Sequence, residues 1–149
     1  MREWPVPSAT FDTRSSGVLL HVTSLPSGRL DDEAERFIDW LAEAGQRWWQ
    51  ILPLGPPDVH GSPYAGLSAF AANERLLPET VAPAGADACA QFRDANPLWA
   101  PDWEAYAGPQ ALAGQVRFMR RWQQLRDYAH QRGVQIMGDL PLYVSADGA

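Results

Sequence analysis

The chain has 149 residues, of which 46% are hydrophobic and 20% are charged, and its formal net charge is −6. Because a domain commonly takes about 100–150 residues, this length suffices for one buried core. The acidic balance argues against nucleic acid as a partner, since phosphates would be repelled. The sequence has no apolar run of the ~18 residues that a membrane span needs, so no membrane association is expected.

The first residues lack the apolar core of a signal peptide, and Cys89 is the single cysteine. One cysteine can form no disulfide within the chain, so a cytoplasmic protein is expected. His21, His60 and His130 lack the spacing of metal ligands, and no glycine pattern for binding nucleotides occurs. We therefore expect neither a metal nor a cofactor. The oligomeric state is left open.

The first part of the chain is predicted to fold as strand, helix and strand. Residues 17–22 form an apolar run before a cluster of turn formers, which is typical of a buried strand entering a loop. A capping-box-like start at Asp32 opens a stretch of helical spacing that stops at Gly45. Residues 48–54 predict a second strand. The helix between them can serve as a parallel crossover, so a parallel α/β sheet buried on both faces is expected.

The remaining chain predicts a second crossover. Residues 78–114 are rich in Pro, Ala and Gly, and a short helix within 80–96 is the only regular element predicted there. Helical spacing returns from about Gln115 and stops at Gly133, which has the position of a helix C-terminal glycine. Residues 134–137 then predict a third strand.

Polar side chains follow the predicted strands, where parallel α/β proteins bind their ligands. His21 ends the first strand, Ser62 and Tyr64 follow the second, and Asp139 follows the third. A carboxylate accepts hydrogen bonds from sugar hydroxyls, and tyrosine has a flat apolar face with a polar tip, so the set suits a neutral polyol. Core packing for His21 and turn formation for the others are the alternative explanations.

The tryptophans, seven in all, are the other candidates for contact with sugar rings. Large aromatic side chains in helices and strands usually fill the core. This expectation applies to four of them: Trp40, Trp48, Trp49 and Trp122. Trp99 and Trp103 fall outside the predicted elements, so these two are expected to stack on ligands at the surface.

Taken in order, five blocks of the chain resemble the amylomaltase (4-α-glucanotransferase) family of the α-amylase clan. The blocks are GVLLHVTSLP at 17–26, FIDWLAEAGQ at 37–46, WWQILPLGP at 48–56, SPY and SAFAAN within 62–73, and GVQIMGDLP at 133–141. Their number and order argue against chance convergence.

The resemblance implies an α/β fold, a partial (β/α)8 TIM barrel of which this chain holds the first three parallel strands with their crossover helices. Residues 1–149 would then be the N-terminal part of a barrel catalytic domain, with a shortened irregular insertion at about 78–114 and the rest of the barrel absent. The implied activity is the retaining transfer of α-1,4-glucan segments between maltooligosaccharides through a covalent glycosyl-enzyme intermediate. Ser62 and Tyr64 would contact the sugar, and Asp139 would support it.

The family's nucleophilic Asp, acid/base Glu and third catalytic Asp belong to later strands, so the resemblance implies no catalytic residue within this chain. A truncated protein that is inactive alone is therefore expected. Val22 stands where the family usually has Pro, and the Gly-rich segment that usually follows Pro26 is missing. A non-catalytic glucan-binding or interaction module, a decayed remnant and an unrelated small α/β enzyme remain alternatives.

Overall fold

The computed structural model describes residues 13–141 and 143–148. The strands and helices are β1 (Gly17–Leu19), α1 (Asp32–Glu43), β2 (Trp48–Gln50), β3 (Ala65–Gly66), α2 (Ala86–Ala95), α3 (Ala100–Ala107), α4 (Ala111–Gln131), β4 (Gln135–Met137) and β5 (Tyr143–Val144), with 3₁₀ helices at Val22–Ser24 and Glu74–Leu76. Strands β1, β2 and β4 form a parallel sheet in that order. The predicted sheet with its two crossover helices, α1 and α4, is confirmed.

Helix α1 begins and ends where local chemistry dictates. The Asp31 carboxylate accepts a hydrogen bond of 2.9 Å from the Glu33 backbone N–H, which satisfies one of the free donors of the first turn. Gly45 adopts φ +69 just beyond the last turn, in the left-handed region that glycine enters without steric cost. The helix therefore stops at the predicted residue, while its cap is Asp31 and not Asp32.

The core lies between one face of the sheet and the helices. Val18, Trp49 and Ile136 are aligned across β1, β2 and β4, and all three pack in the main hydrophobic cluster with residues of α1 and α4. The next row across the sheet contains Leu19, whose side chain is 56% exposed. The expectation that both faces are buried is therefore wrong for β1, because in the described part of the chain only the helix-facing side is covered.

Polar contacts hold α1 and α4 together over this core. The Tyr128 hydroxyl donates to Asp39 Oδ2 at 2.9 Å, and Arg132 forms an ion pair with the same carboxylate. Nearer the start of α1, an Arg121 guanidinium nitrogen lies 2.8 Å from Glu35 Oε1. The two crossover helices thus pack side by side on the same sheet.

Both predicted strands at the start of the chain are too long. β1 ends at Leu19 because the following backbone turns into a 3₁₀ helix, in which the Ser24 N–H donates to the His21 carbonyl at 2.9 Å. Past β2, the Ile51 N–H still donates to the Met137 carbonyl at 3.0 Å, but Pro53 has no N–H for a ladder. Pairing therefore ends before residue 54.

The segment 78–114 is more regular than expected. The short helix predicted within 80–96 is present as α2, but α3 was not predicted, and α4 begins at Ala111 and not near Gln115. Trp103 of α3 is 6% exposed and packs with Ala111, so its assignment to the surface is wrong. Trp40, expected in the core, is 52% exposed because it lies on the outer side of α1. None of the helices in the described ranges is long and apolar enough to cross a membrane.

Candidate functional site

The candidate site lies at the carboxyl end of the parallel sheet. Because β1, β2 and β4 run in one direction, the segments that leave them emerge at the same edge. These segments contain His21 after β1, the loop with Ser62 and Tyr64 after β2, and Asp139 after β4. The topology thus brings all the predicted site residues to one end of the sheet.

The loop after β2 is folded around Asp58, which is not among the predicted site residues. Its Oδ1 accepts hydrogen bonds from the backbone N–H groups of His60, at 3.0 Å, and Ser62, at 3.1 Å. Gly61, at φ +77, closes the turn by donating its N–H to the Asp58 carbonyl at 3.0 Å. An Asp three residues before a Gly is a recognisable turn signal, so this role was predictable.

The Ser62 hydroxyl orients the next part of the loop. Its Oγ accepts a hydrogen bond of 3.3 Å from the Tyr64 backbone N–H. A serine oxygen that accepts one bond can still donate its proton, so the hydroxyl can also serve a ligand. Ser62 is half-buried, and its hydrogen bond constrains the backbone position of Tyr64.

A small second sheet joins the site loop to the segment after β4. Ala65 and Gly66 of β3 pair in parallel with Tyr143 and Val144 of β5, and the Ser145 N–H donates to the Gly66 carbonyl at 2.8 Å. Neither strand was predicted, since two residues carry no periodic signal. The pairing holds the two polar loops side by side.

Tyr64 and Asp139 meet at this junction although they are 75 positions apart in the sequence: the phenolic hydroxyl donates to Asp139 Oδ2 at 2.9 Å. The hydrogen bond to the carboxylate raises the pKa of the Tyr64 phenol, with smaller contributions from desolvation and from the charge of Asp139. Tyr64 is 47% exposed, so part of its ring is open to solvent. The pair offers a flat apolar surface beside a carboxylate that can accept hydrogen bonds from hydroxyls.

His21 occupies an adjoining cleft of about 210 Å³, whose lining includes Gly61 and Pro63 on either side of Ser62. The imidazole is half-buried, and this burial lowers the pKa of His21. Burial therefore favours the neutral form of the imidazole. Within the ranges that the structure describes, no group of three or more His, Cys, Asp or Glu residues is arranged to hold a metal ion.

A family model described as 4-alpha-glucanotransferase matches residues 20–107 and 109–149, which is most of the chain. The chain belongs to the 4-α-glucanotransferase family. It is 30% identical to the chloroplastic/amyloplastic 4-alpha-glucanotransferase of Arabidopsis thaliana, in an alignment that covers 99% of this chain and 40% of that protein. It is 32% identical to the 4-alpha-glucanotransferase of Synechocystis, over 93% of this chain and 45% of the relative.

The fold agrees with this assignment to the 4-α-glucanotransferase family. The solved amylomaltase from Streptococcus agalactiae in complex with acarbose superposes with a TM-score of 0.78 at 25% identity, covering 91% of this chain and 45% of that one. The resemblance to amylomaltases and the partial barrel are therefore confirmed. The chain spans less than half the length of these relatives. The Arabidopsis alignment runs over 235 positions, so that relative has additional residues within the region matched by these 149.

Proposed function

We propose that this chain is part of a 4-α-glucanotransferase-type domain, a type that transfers α-1,4-glucan segments between maltooligosaccharides by a retaining mechanism, and that the chain alone is inactive in transfer. The observation that carries the proposal is the hydrogen bond between Tyr64 and Asp139, which joins two loops at the ligand-binding edge of the sheet. Family membership supplies the reaction. The proposal assigns the contact with the sugar to Ser62, Tyr64 and Asp139.

Each of these residues has a distinct task in the proposal. The exposed part of the Tyr64 ring packs against the C–H face of a glucose unit, while Asp139 holds the phenol in place and accepts from sugar hydroxyls. Ser62 orients Tyr64 through its backbone and donates its hydroxyl proton to the glucan. All three bind and position the substrate, and none of them attacks it.

The catalytic carboxylates are assigned to later strands of the barrel. A retaining enzyme needs a nucleophile and an acid/base about 5–5.5 Å apart. The proposal treats β1, β2 and β4 as the first three strands of a (β/α)8 barrel, with a shortened insertion at about 78–114. This chain is then expected to bind glucan without transferring it.

The expected partner is a neutral glucan in the cytoplasm. A chain with a formal net charge of −6 repels polyanions but has no electrostatic penalty with an uncharged oligosaccharide. The single free cysteine, Cys89, is consistent with a reducing compartment.

Maltotriose and the purified chain provide the test. Calorimetry measures binding, and chromatography of released glucose and longer oligosaccharides measures transfer. Tyr64→Ala should weaken binding about ten-fold, because loss of an aromatic contact costs about 1.4 kcal/mol. Tyr106→Ala is the matched control, since Tyr106 is 46% exposed, close to the 47% of Tyr64, but belongs to α3.

The outcomes separate the candidate functions. Binding that depends on Tyr64, without transfer, is the expected result. Transfer by the folded chain would contradict the assignment of catalysis to later strands. A folded chain that neither binds nor transfers maltotriose would favour a decayed remnant. Equal losses of affinity in Tyr64→Ala and Tyr106→Ala would contradict the assignment of the sugar contact to Tyr64.

A further inference from the structure

The parallel sheet has a second face, which no helix covers in the described part of the chain. Val18, Trp49 and Ile136 point toward the helices, so the residues before and after them along each strand point the other way. Two rows across β1, β2 and β4 form this open face: Gly17, Trp48 and Gln135 in one row, and Leu19, Gln50 and Met137 in the other. Gly17 and Leu19 are exposed, and the other four are half-buried.

The open face has the composition of a protein interior. None of its six positions carries a charge, although 20% of the residues in the chain are charged. A sheet face that stays in water normally presents polar and charged side chains opposite the apolar ones of the core face. Leu19 and Met137 are apolar and Trp48 adds a large aromatic ring, so contact of this face with water is unfavourable. The composition therefore favours burial of the open face against another protein surface.

The outer strands lack the features that usually keep sheet edges from pairing. β1 and β4 are each hydrogen-bonded on one side in the part of the chain that the structure describes. Edge strands that remain in solvent commonly carry lysine, proline or a bulge, which blocks the addition of another strand. The sequences of β1, GVL, and of β4, QIM, contain neither lysine nor proline. Both outer edges can therefore accept a further parallel strand.

The length of the relatives indicates what fits these edges. A (β/α)8 barrel needs about five strands beyond the three of this sheet, and a second copy of the chain would add too few to close it. This chain covers 45% of the Synechocystis 4-alpha-glucanotransferase and 45% of the Streptococcus agalactiae amylomaltase. The strands that fit both edges therefore belong to the part of the family's domain that this chain does not match.

We propose that the open face and the outer edges of β1 and β4 bind, in trans, a separate polypeptide that carries the later strands of a 4-α-glucanotransferase barrel. The inference rests on the proposed function, because it takes β1, β2 and β4 as the first three barrel strands. The partner forms backbone hydrogen bonds at both edges and covers Leu19 and Met137 with apolar side chains. It also brings the catalytic carboxylates to the end of the sheet where Tyr64 and Asp139 lie.

Co-expression with part of a relative provides the test. The unaltered chain, carrying an affinity tag, is produced together with the part of the Synechocystis 4-alpha-glucanotransferase that it does not match. Affinity purification followed by light scattering measures the mass of the complex, and chromatography of the products from maltotriose measures transfer. We expect a one-to-one complex that transfers glucan, whereas neither polypeptide alone should do so.

Leu19→Glu tests the open face itself. Leu19 is 56% exposed, so the free chain should fold normally, but a bound partner would bury the new carboxylate without a counter-charge. The Kd of the complex should rise about 100-fold or more, as measured by calorimetry. Leu98→Glu is the matched control, since Leu98 is 89% exposed but lies between α2 and α3, and it should leave the Kd unchanged. Thermal melts followed by circular dichroism establish that each variant is folded.

The failure of this inference is distinct from the failure of the proposed function. The absence of a complex, or a complex that Leu19→Glu leaves intact, would overturn the docking surface, as would a dimer of this chain that forms in place of the mixed complex. If the chain still binds maltotriose through Tyr64 in those cases, the proposed function stands. A complex that depends on Leu19 but transfers no glucan would confirm the docking surface and contradict the proposed function.

Discussion

The contact between Tyr64 and Asp139 is one bond of 2.9 Å between two solvent-accessible side chains, yet it sets the chemistry of the candidate site. A phenol that donates to a carboxylate keeps its proton to higher pH than a free phenol. Its ring orientation is also fixed, which lowers the entropy lost when a ligand packs against it. At the scale of single residues, the site is therefore preorganised by a hydrogen bond whose partners lie in separate loops.

Asp139→Asn tests this arrangement by titration. We expect the pKa of Tyr64 to fall toward its ordinary value of 10.0, because the hydrogen bond to an ionised carboxylate, which is the main cause of the raised pKa, is lost together with the charge of Asp139. Because the phenol pKa is raised in the folded chain, the hydrogen bond contributes fully to the free energy of unfolding at pH values below the phenol pKa of the unfolded chain. This contribution is lost as the pH rises through the phenol pKa of the folded chain. Ultraviolet absorbance of tyrosinate measures the titration.

The signal is assigned by subtracting the titration of Tyr64→Phe, and Tyr106→Phe is the control for an exposed tyrosine elsewhere. An unchanged phenol pKa in Asp139→Asn would show that the two side chains do not pair in solution.

At the scale of elements, α4 supports the site through its buried amide side chain. Gln115 is 1% exposed and forms two hydrogen bonds with one residue of the segment after β3. Its Oε1 accepts from the Ala72 N–H at 2.7 Å, and its Nε2 donates to the Ala72 carbonyl at 3.0 Å. The next residue, Asn73, donates its N–H to the Leu54 carbonyl at 2.8 Å. Helix α4 thus holds in place the segment 72–73, which borders the cleft of His21.

Gln115→Leu should lower the free energy of unfolding by about 1–3 kcal/mol, because both polar groups of Ala72 lose their partner in a partly buried place. Urea denaturation followed by circular dichroism measures the change. Gln124→Leu, at an exposed position of the same helix, should alter stability by no more than about 0.5 kcal/mol. Equal effects of the two substitutions would show that the paired amide contributes nothing.

Across the whole molecule, the strands of the parallel sheet differ in the number of neighbouring strands to which they are hydrogen-bonded. β2 is bonded on both sides, whereas β1 and β4 are each bonded on one side in the described part of the chain. Trp49 is fully buried at the centre and anchors β1 by donating its indole N–H to the Leu20 carbonyl at 2.8 Å. The most stable part of the molecule is thus the central strand with the helices packed on it.

Native-state hydrogen exchange tests this order of stability. The amide of Ile51 is bonded to Met137, and its residue is 2% exposed, so it should exchange among the slowest. The amide of Leu20, bonded to Gln50 from the outer strand, should exchange faster. NMR after transfer to deuterated buffer measures both. Equal protection would show that the sheet opens only as a unit and that β1 is no weaker than β2.

The features that could be predicted from the amino-acid order are those that local chemistry controls. The order of the main strands and crossover helices follows from apolar spacing, and α1 and α4 stop where glycine occupies the left-handed region, at Gly45 and Gly133. The ordered blocks that indicated the family are also local. Ser62, Tyr64 and Asp139 could be placed at one edge because parallel strands share it. Their contact with sugar remains a prediction.

Which of these residues meet depends on contacts that form only when the chain is folded. The hydrogen bond from Tyr64 to Asp139 depends on β3 and β5, which are too short to leave a periodic pattern. The burial of Trp103 and the exposure of Trp40 likewise depend on which surfaces pack together. The cleft of His21 exists only between loops that follow different strands. Such features arise from contacts between distant parts of the chain, whereas spacing along the sequence reports only on near neighbours.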